Sequence, residues 1–258
     1  MPHPATTPQY RNQPVIGSYF AEFGSIDSSN NYAIEQAHAG TAYHGSVYFA
    51  HEQTAGKGQR GKKWVAAAGQ NVMMSVLLNP LGLFVEQQFL LSASMALGCI
   101  DLLKKHVKDG LYIKWPNDLY ISDRKAGGIL IENILSGTSW KNAVVGIGIN
   151  INQTRFDPSL PNPISLKLVT EKEFDVIALV KDLCACLEKR YQQLMSGQYE
   201  ILMVDYNSYL YKRHQRVSLK QEDLVFETEI KEVDMKGFLI STDEKERRFG
   251  FGEVQWIL

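Results

Sequence analysis

Two apolar segments, Val47–Ala50 and Val72–Leu78, have the length and composition of buried strands, and the stretch joining them constrains the fold more than any other. It reads Gln53-Thr54-Ala55-Gly56-Lys57-Gly58-Gln59-Arg60-Gly61-Lys62-Lys63-Trp64 and stays polar to Gly69. Gly56, Gly58 and Gly61 match the G-x-G-x-x-G dinucleotide fingerprint after a strand. That fingerprint must open a helix leading back to a parallel strand. Only Lys62–Gly69 remain before the next strand, too little for a crossover helix, and the fingerprint has no use for cations at Lys57, Arg60, Lys62 and Lys63. A Rossmann fold is excluded. Glycines that bring backbone N–H groups close, with Lys and Arg among them, suit a polyphosphate. Trp64 adds a face on which a base could stack. A solvated basic surface loop would have the same composition, and the segment alone leaves both readings open.

Charge and length narrow the class. The 258 residues carry 27 Lys+Arg against 28 Asp+Glu, a net charge of −1, which argues against bulk nucleic-acid binding. With 45% hydrophobic and 21% charged residues the chain reads as an ordinary soluble globular protein. No apolar run approaches the roughly 18–20 residues a bilayer crossing needs. Met1–Arg11 is rich in Pro and Thr rather than basic and then apolar, so we expect no signal peptide, no membrane span and a cytoplasmic location. Cys99, Cys184 and Cys186 are too few for a disulfide framework or a four-ligand metal site. Cys184 and Cys186 stand two apart in a helical pattern, on different sides, so neither a bridge nor a shared metal is expected.

The pattern along the chain is mixed α/β. An irregular lead-in covers the first 17 or so residues, and Tyr19–Phe23 reads as a short strand ending at Gly24-Ser25. Asp27-Ser28-Ser29-Asn30 supplies helix N-cap types ahead of Tyr32–His38, with Gly40 as the stop. A long amphipathic helix is predicted over Glu86–His106, then a strand at Leu111–Lys114. Leu119–Ile121 and Gly128–Leu135 form a hairpin across Asp123-Arg124, and Val144–Ile151 is another strand. Asp157–Pro163 is a loop. The Thr-x-x-Glu form of Thr170–Glu173 predicts a capping box opening a helix to Met195, with a further helix over Tyr199–Leu210. Beyond Lys212, short alternating segments at Arg216–Leu219, Val225–Val233, Phe238–Thr242 and Arg247–Phe251 predict a small β-barrel. We therefore expect a domain over 1–212 and a small barrel domain over 213–258.

Two further segments carry chemistry. Lys114-Trp115-Pro116-Asn117-Asp118 ends a strand at a proline corner, which holds the Lys114 ammonium where α/β enzymes place ligands. Asn117 and Asp118 are equally at home as turn residues. Lys125-Ala126-Gly127-Gly128 precedes Gly146-Ile147-Gly148-Ile149-Asn150-Ile151-Asn152. Gly146 and Gly148, two apart in a strand, share a face with Asn150 and Asn152. That face is a floor without side chains, built either for a ligand or for close packing of a helix.

These segments in this order, with Asp27–Asn30 ahead of them, resemble the biotin–protein ligases over roughly Phe23–Asn152. The family signatures D-S-T-N, Q-T-x-G-R-G-x-x-x-x-x-W, K-W-P-N-D and G-I-G-I-N are all nearly matched. The resemblance implies a mixed β-sheet flanked by helices, like the catalytic domain of class II aminoacyl-tRNA synthetases, followed by an SH3-like barrel. It implies that biotin and ATP, with Mg²⁺, give biotinyl-5′-AMP and pyrophosphate. The biotinyl group then passes to a lysine on a biotin carboxyl carrier protein domain. By the same resemblance Ser28, Ser29, Asn30, Gln53, Gly56, Lys57, Gly58, Lys114, Gly127 and Gly128 bind biotin. Lys57, Arg60, Lys62, Trp64, Asn117, Gly148 and Asn150 bind ATP, and Lys114, Arg60 and Lys57 are the catalytic cations. Gly56–Lys63 would close over both substrates.

The chain departs from the pattern at Ser29, for Thr, at Lys57, for the first Arg, and at Gln59, for the second. Lys lacks the bidentate fork and Gln is neutral, so phosphate contact is assigned to Arg60 rather than Gln59. The chemistry fits: a carboxylate is already ionised near pH 7 and attacks the α-phosphate without a general base. What it needs is cations to offset charge repulsion. The six histidines (His3, His38, His44, His51, His106, His214) show no ligand spacing, and none is assigned to catalysis or to a metal. Some family members repress transcription through an N-terminal helix-turn-helix; Met1–Ile26 hold prolines and no helix pair, so we expect the form lacking that domain and no operator binding. Two other readings are a lipoate- or octanoate-transferring enzyme of the same superfamily and a non-enzymatic polyanion-binding module. An exposed sheet edge would let two chains pair as a homodimer.

Overall fold

The computed structural model describes residues 15–137 and 139–257. The lead-in expected at the start, with His3 and the expected lack of a helix pair there, falls almost wholly outside the described residues. A seven-stranded sheet carries the larger part of the chain, built from β1 (Tyr19–Ile26), β2 (Ser46–Gln53), β3 (Asn71–Leu78), β4 (Leu111–Lys114), β5 (Asp118–Ile121), β6 (Arg124–Ser136) and β7 (Ser139–Asn150). Their order is β1-β2-β3-β7-β6-β5-β4, with β1 parallel to β2 and the other pairs antiparallel.

Both faces of the sheet's centre are covered, which is why β2 and β3 read as continuous apolar runs rather than alternating ones. On one face Val47, Phe49, Met74, Val76, Val145 and Ile147 form the main core with α2 (Gln88–Leu103), α4 (Val176–Met195) and α5 (Tyr199–Ser208). On the other, α1 (Ser29–His38) lays Ala33 over Tyr48, Leu77 and Val144. Ser28 caps α1, its Oγ accepting from the Asn31 N–H.

Some boundaries differ from the sequence expectation. Thr170 ends a short helix, α3 (Leu166–Thr170), and Glu171 turns left-handed at φ 59°. The long helix starts only at Val176, capped by Asp175, whose Oδ1 accepts from the Ala178 N–H at 3.1 Å. The local Thr-x-x-Glu pattern lost because the Phe174 N–H is held by the Asn152 side chain, and the buried stripe begins at Val176. Arg124 belongs to β6, so the β5–β6 tip is Ser122-Asp123, with Ser122 at φ 54°. Helix α2 is shorter than predicted, with a 3₁₀ turn at Val85–Gln87 before it.

The second sheet has the order β11-β10-β9-β8-β12, from β8 (Arg216–Gln221), β9 (Leu224–Val233), β10 (Leu239–Thr242), β11 (Glu246–Phe249) and β12 (Gln255–Ile257). The sequence reading had missed β12. The sheet is clipped to α5 by Asn207, whose amide donates to the Val233 carbonyl at 3.0 Å and accepts from its N–H at 2.7 Å. The Trp115 indole N–H donates to the Gly237 carbonyl at 3.0 Å. The three cysteines are buried and free. Among the described residues no helix is long and apolar enough to cross a membrane.

His44 is buried, its Nδ1 accepts from the Asn79 N–H at 3.0 Å, and its ring lies against Tyr191. Burial lowers its pKa to about 4. The unfolded chain takes up that proton near pH 6.5 while the folded chain resists it, so this stabilisation is present above pH 6.5 and lost as pH falls toward 4. At about 1.4 kcal/mol per pH unit the loss approaches ~3 kcal/mol. Denaturant melts of wild type and His44→Gln from pH 7 to 4 should show a shallower acid decline in the variant; parallel curves would contradict the assignment.

Candidate active site

Strand register builds the floor. Met73 faces Gly148, Gly148 faces Gly128, Gly128 faces Asp118 and Asp118 faces Lys114, a single row across β3, β7, β6, β5 and β4. Directly opposed residues lie on the same face, so the two glycines leave the row's middle bare and Lys114 stands at its end. The Lys114 ammonium is half-buried, 3.3 Å from the Tyr120 hydroxyl and 5.7 Å from the ring centre of Trp256. Burial is the main cause of its pKa falling to about 8; Lys125 and Lys62 push the same way and Asp118 opposes them. Lys125 pairs with Asp118 at 2.6 Å.

The next row carries a buried polar chain. Ser75 Oγ lies 2.7 Å from Ser29 Oγ and within hydrogen-bond reach of Asn30 Oδ1. An amide oxygen only accepts, so the Ser75 proton goes to Asn30 and the Ser29 hydroxyl donates to Ser75. Asn30 Nδ2 then donates to Glu132 Oε2 at 2.7 Å, and the Ser29 N–H donates to Gln53 Oε1 at 2.7 Å. Ser29, Asn30 and Ser75 are all buried. Asn30 fits because position 146 has no side chain: a Cβ on Gly146 would collide with the Asn30 amide.

The basic segment is a tight hairpin over this floor. The Trp64 N–H donates to the Gly56 carbonyl, the Gly58 N–H to the Lys62 carbonyl, and Lys57 bridges Lys63. Its tip, Gln59–Gly61, is a 3₁₀ turn in which Arg60 takes φ 56°. Lys57, Arg60, Lys62 and Lys63 are exposed. Lys57 Nζ lies 3.5 Å from Glu132 Oε1, and Arg60 donates to the Gly252 carbonyl at 3.3 Å. The Trp64 indole lies on the floor itself, since a Cβ on Gly148 would come within 2.5 Å of it. Its N–H finds no partner among the described residues.

Ser29, Asn30, Trp64, Lys114, Gly128 and Gly148 thus come together on one face, Gly127 pairs with Leu119 and Ile149 in the neighbouring row that faces the main core, and three expected residues also bond within the fold. Ser28 caps α1. Asn117 Nδ2 donates to the Ile129 carbonyl at 2.6 Å, and Asn150 Nδ2 donates to the Ile164 carbonyl at 3.0 Å. Gly127 is packed so tightly under β7 that a Cβ would meet the Gly148 carbonyl at 2.6 Å, whereas Gly128 opens on Asp118 and Lys125. The sequence reading gave no role to Ser75, Glu132, Tyr120, Lys125 or Trp256. Ser75 had a signal, being the one polar residue within the apolar run Val72–Leu78, and Glu132 shares the period-two face of Gly128. Trp256 had none. Among the described residues no three His, Cys, Asp or Glu side chains gather as a metal site.

Gly146→Ala should displace Asn30 and lower stability by about 1–3 kcal/mol, as overpacking does. Gly148→Ala should lift the Trp64 indole into water and shift its emission to the red. Thermal melts and fluorescence against a Trp64→Phe reference check both, and an unmoved spectrum would place the ring elsewhere.

Known proteins resemble this chain in sequence and in fold. The bifunctional ligase/repressor BirA of Bacillus subtilis (strain 168) is 29% identical over 201 residues, covering 76% of this chain and 60% of that protein. BirA of Escherichia coli (strain K12) is 35% identical over 152 residues, 57% of this chain and 44% of that one. The chain thus spans three fifths or less of the length of these curated relatives. The Aquifex aeolicus biotin protein ligase, solved in complex with biotin and ATP, superposes with a TM-score of 0.80 at 23% identity, covering 93% of this chain and 99% of that one. Residues 22–150, half of the sequence, match the model of the Biotin/lipoate A/B protein ligase family, and the chain belongs to that family.

Proposed function

We propose that this protein is a biotin–protein ligase. It would activate biotin with ATP to biotinyl-5′-AMP and pyrophosphate, then pass the biotinyl group to a lysine of a biotin carboxyl carrier domain. The observation that carries the reading is the glycine row ending at Lys114 beneath a hairpin with four exposed cations. A thin, flat ligand can lie along that row, with its carboxylate toward Lys114.

The buried chain through Ser29, Ser75 and Asn30 supports biotin over lipoate. A ureido ring carries N–H donors and a carbonyl acceptor that such a polar set can engage, whereas a dithiolane has neither. In the first step the ionised carboxylate attacks the α-phosphate, and Lys114, Arg60 and Lys57 offset the repulsion between them. Mg²⁺ arriving with ATP would add positive charge at the phosphates. In the second step the carrier's amine attacks the mixed anhydride, and Lys114 stabilises the oxyanion and the leaving phosphate. Closure of the Gly56–Lys63 hairpin keeps water from the anhydride.

Pyrophosphate release on mixing the protein with biotin and MgATP, followed by transfer of label to a carrier domain, tests the reading. Lipoate or octanoate should give neither, and turnover with those acids alone would reassign the enzyme within its family. Lys114→Ala should form adenylate at least about a hundredfold more slowly with its fold intact, the scale of losing one electrostatic group at a reacting centre. Wild-type single-turnover rates in that variant would remove Lys114 from the mechanism. Trypsin cleavage at Lys57–Lys63 should slow when biotin and ATP are both present; equal rates would refute closure.

A further inference from the structure

The Lys114 side chain is held from two domains. From its own sheet, Tyr120 offers its hydroxyl at 3.3 Å and its ring centre at 5.3 Å. From the barrel, Trp256 on β12 presents its ring centre at 5.7 Å. Trp256 is itself propped by Tyr211, ring centres 5.8 Å apart, and Tyr211 also packs on Tyr120 at 5.0 Å, so the two aromatic walls around Lys114 are braced to each other. The Trp256 indole N–H is buried with no partner among the described residues, so its contacts there are those of its ring. The next residue along, Trp115, is also tied to the barrel, through Gly237.

We infer that Trp256 is a positioning residue for Lys114: its indole closes the ammonium against Tyr120 and away from water, so the barrel's last strand completes the reaction centre. The physical basis is twofold. A ring face attracts a cation, which fixes where a four-carbon chain carries its charge. The same ring shuts out solvent, which strengthens the field of that charge at a carboxylate or phosphate. The charged and titratable groups facing Lys114 are Asp118 and Tyr120 on β5, Lys125 on β6 and Lys62 on the hairpin; the barrel's contact with it is an uncharged ring. The depressed Lys114 pKa of about 8 agrees with a site from which water is kept.

The role of Trp256 as positioner of a reacting lysine rests on the ligase reading, but its contact with Lys114 can be tested without it. In the full chain carrying ¹³C-labelled lysine, the Lys114 Cε signal, identified by its absence in Lys114→Arg, should titrate near pH 8 in wild type. In Trp256→Ala water reaches the ammonium, and the midpoint should rise toward the ordinary lysine value; in Trp256→Phe, which keeps a ring, it should stay close to wild type. The second readout is the rate of biotin-dependent pyrophosphate release. Trp256→Ala should lower kcat by roughly ten- to a hundredfold, the scale of a small misplacement of a reacting group. KM for biotin and ATP should stay within about twofold, the basic limb of the pH profile should move up with the Lys114 midpoint, and Trp256→Phe should recover most of the rate. A Lys114 midpoint unmoved in Trp256→Ala overturns the inference. So does an equal loss of rate in the Phe and Ala variants, which would mark the ring as barrel packing alone. A wild-type protein that releases no pyrophosphate would defeat the ligase reading, while the titration would still decide whether Trp256 holds Lys114.

Discussion

Backbone contact at positions 146 and 148 is what the rest of the site depends on. A methyl group at Gly146 would occupy the place of the Asn30 amide, and one at Gly148 would meet the Trp64 indole at 2.5 Å. Removing two side chains from the middle of a sheet sacrifices packing that β-branched residues would have supplied. In return, helix α1 and the cationic hairpin both reach the sheet's backbone. The polar chain from Gln53 to Glu132 and the hairpin from Gly56 to Trp64 meet above the same strand because that strand is bare there.

Glu132 links the two halves of this arrangement. Its carboxylate takes the Asn30 amide on one oxygen and Lys57 on the other. The buried polar chain and the cationic hairpin are thus connected through one side chain. At the far end of the row Lys114 is managed differently. Among the described residues it makes no ion pair with a carboxylate, and it lies against the Tyr120 hydroxyl and two aromatic rings. Such a cation is left free to engage a ligand's charge, whereas Lys125, paired with Asp118 at 2.6 Å, is already committed.

The barrel is part of this site rather than an appendage. Asn207 clips it to α5, Trp115 donates to Gly237, Arg60 donates to Gly252 and Trp256 covers Lys114. Each contact joins the barrel to the side of the large sheet that carries Lys114 and the hairpin, or to a helix behind it. A sheet fixed at four separated points holds its edge strand in a defined place beside Lys114.

Much of this was legible in the sequence, and the reason is local. The apolar runs of β2 and β3, the caps of α1, the strand at Leu111–Lys114 and the floor glycines are set by period, propensity and the absence of a side chain, all properties of neighbours in the chain. The rejection of a Rossmann loop followed from counting the residues left before Val72. Where two local signals competed, tertiary contact decided: Asn152 holds Phe174 and moves the start of α4 to Val176, against a capping pattern at Thr170. Asn117 and Asn150 also donate to the carbonyls of Ile129 and Ile164, partners 12 and 14 residues away that no local pattern marks. Trp256 was invisible for the same reason taken further. Its meeting with Lys114 spans two sheets, and no periodicity of the chain encodes which faces of separate sheets will touch. The sequence by itself determined the floor, the cations above it and the lysine at its end. Only the folded structure decided which carbonyls those amides meet, which carboxylate joins the two halves, and which ring from the far end of the chain stands against that lysine.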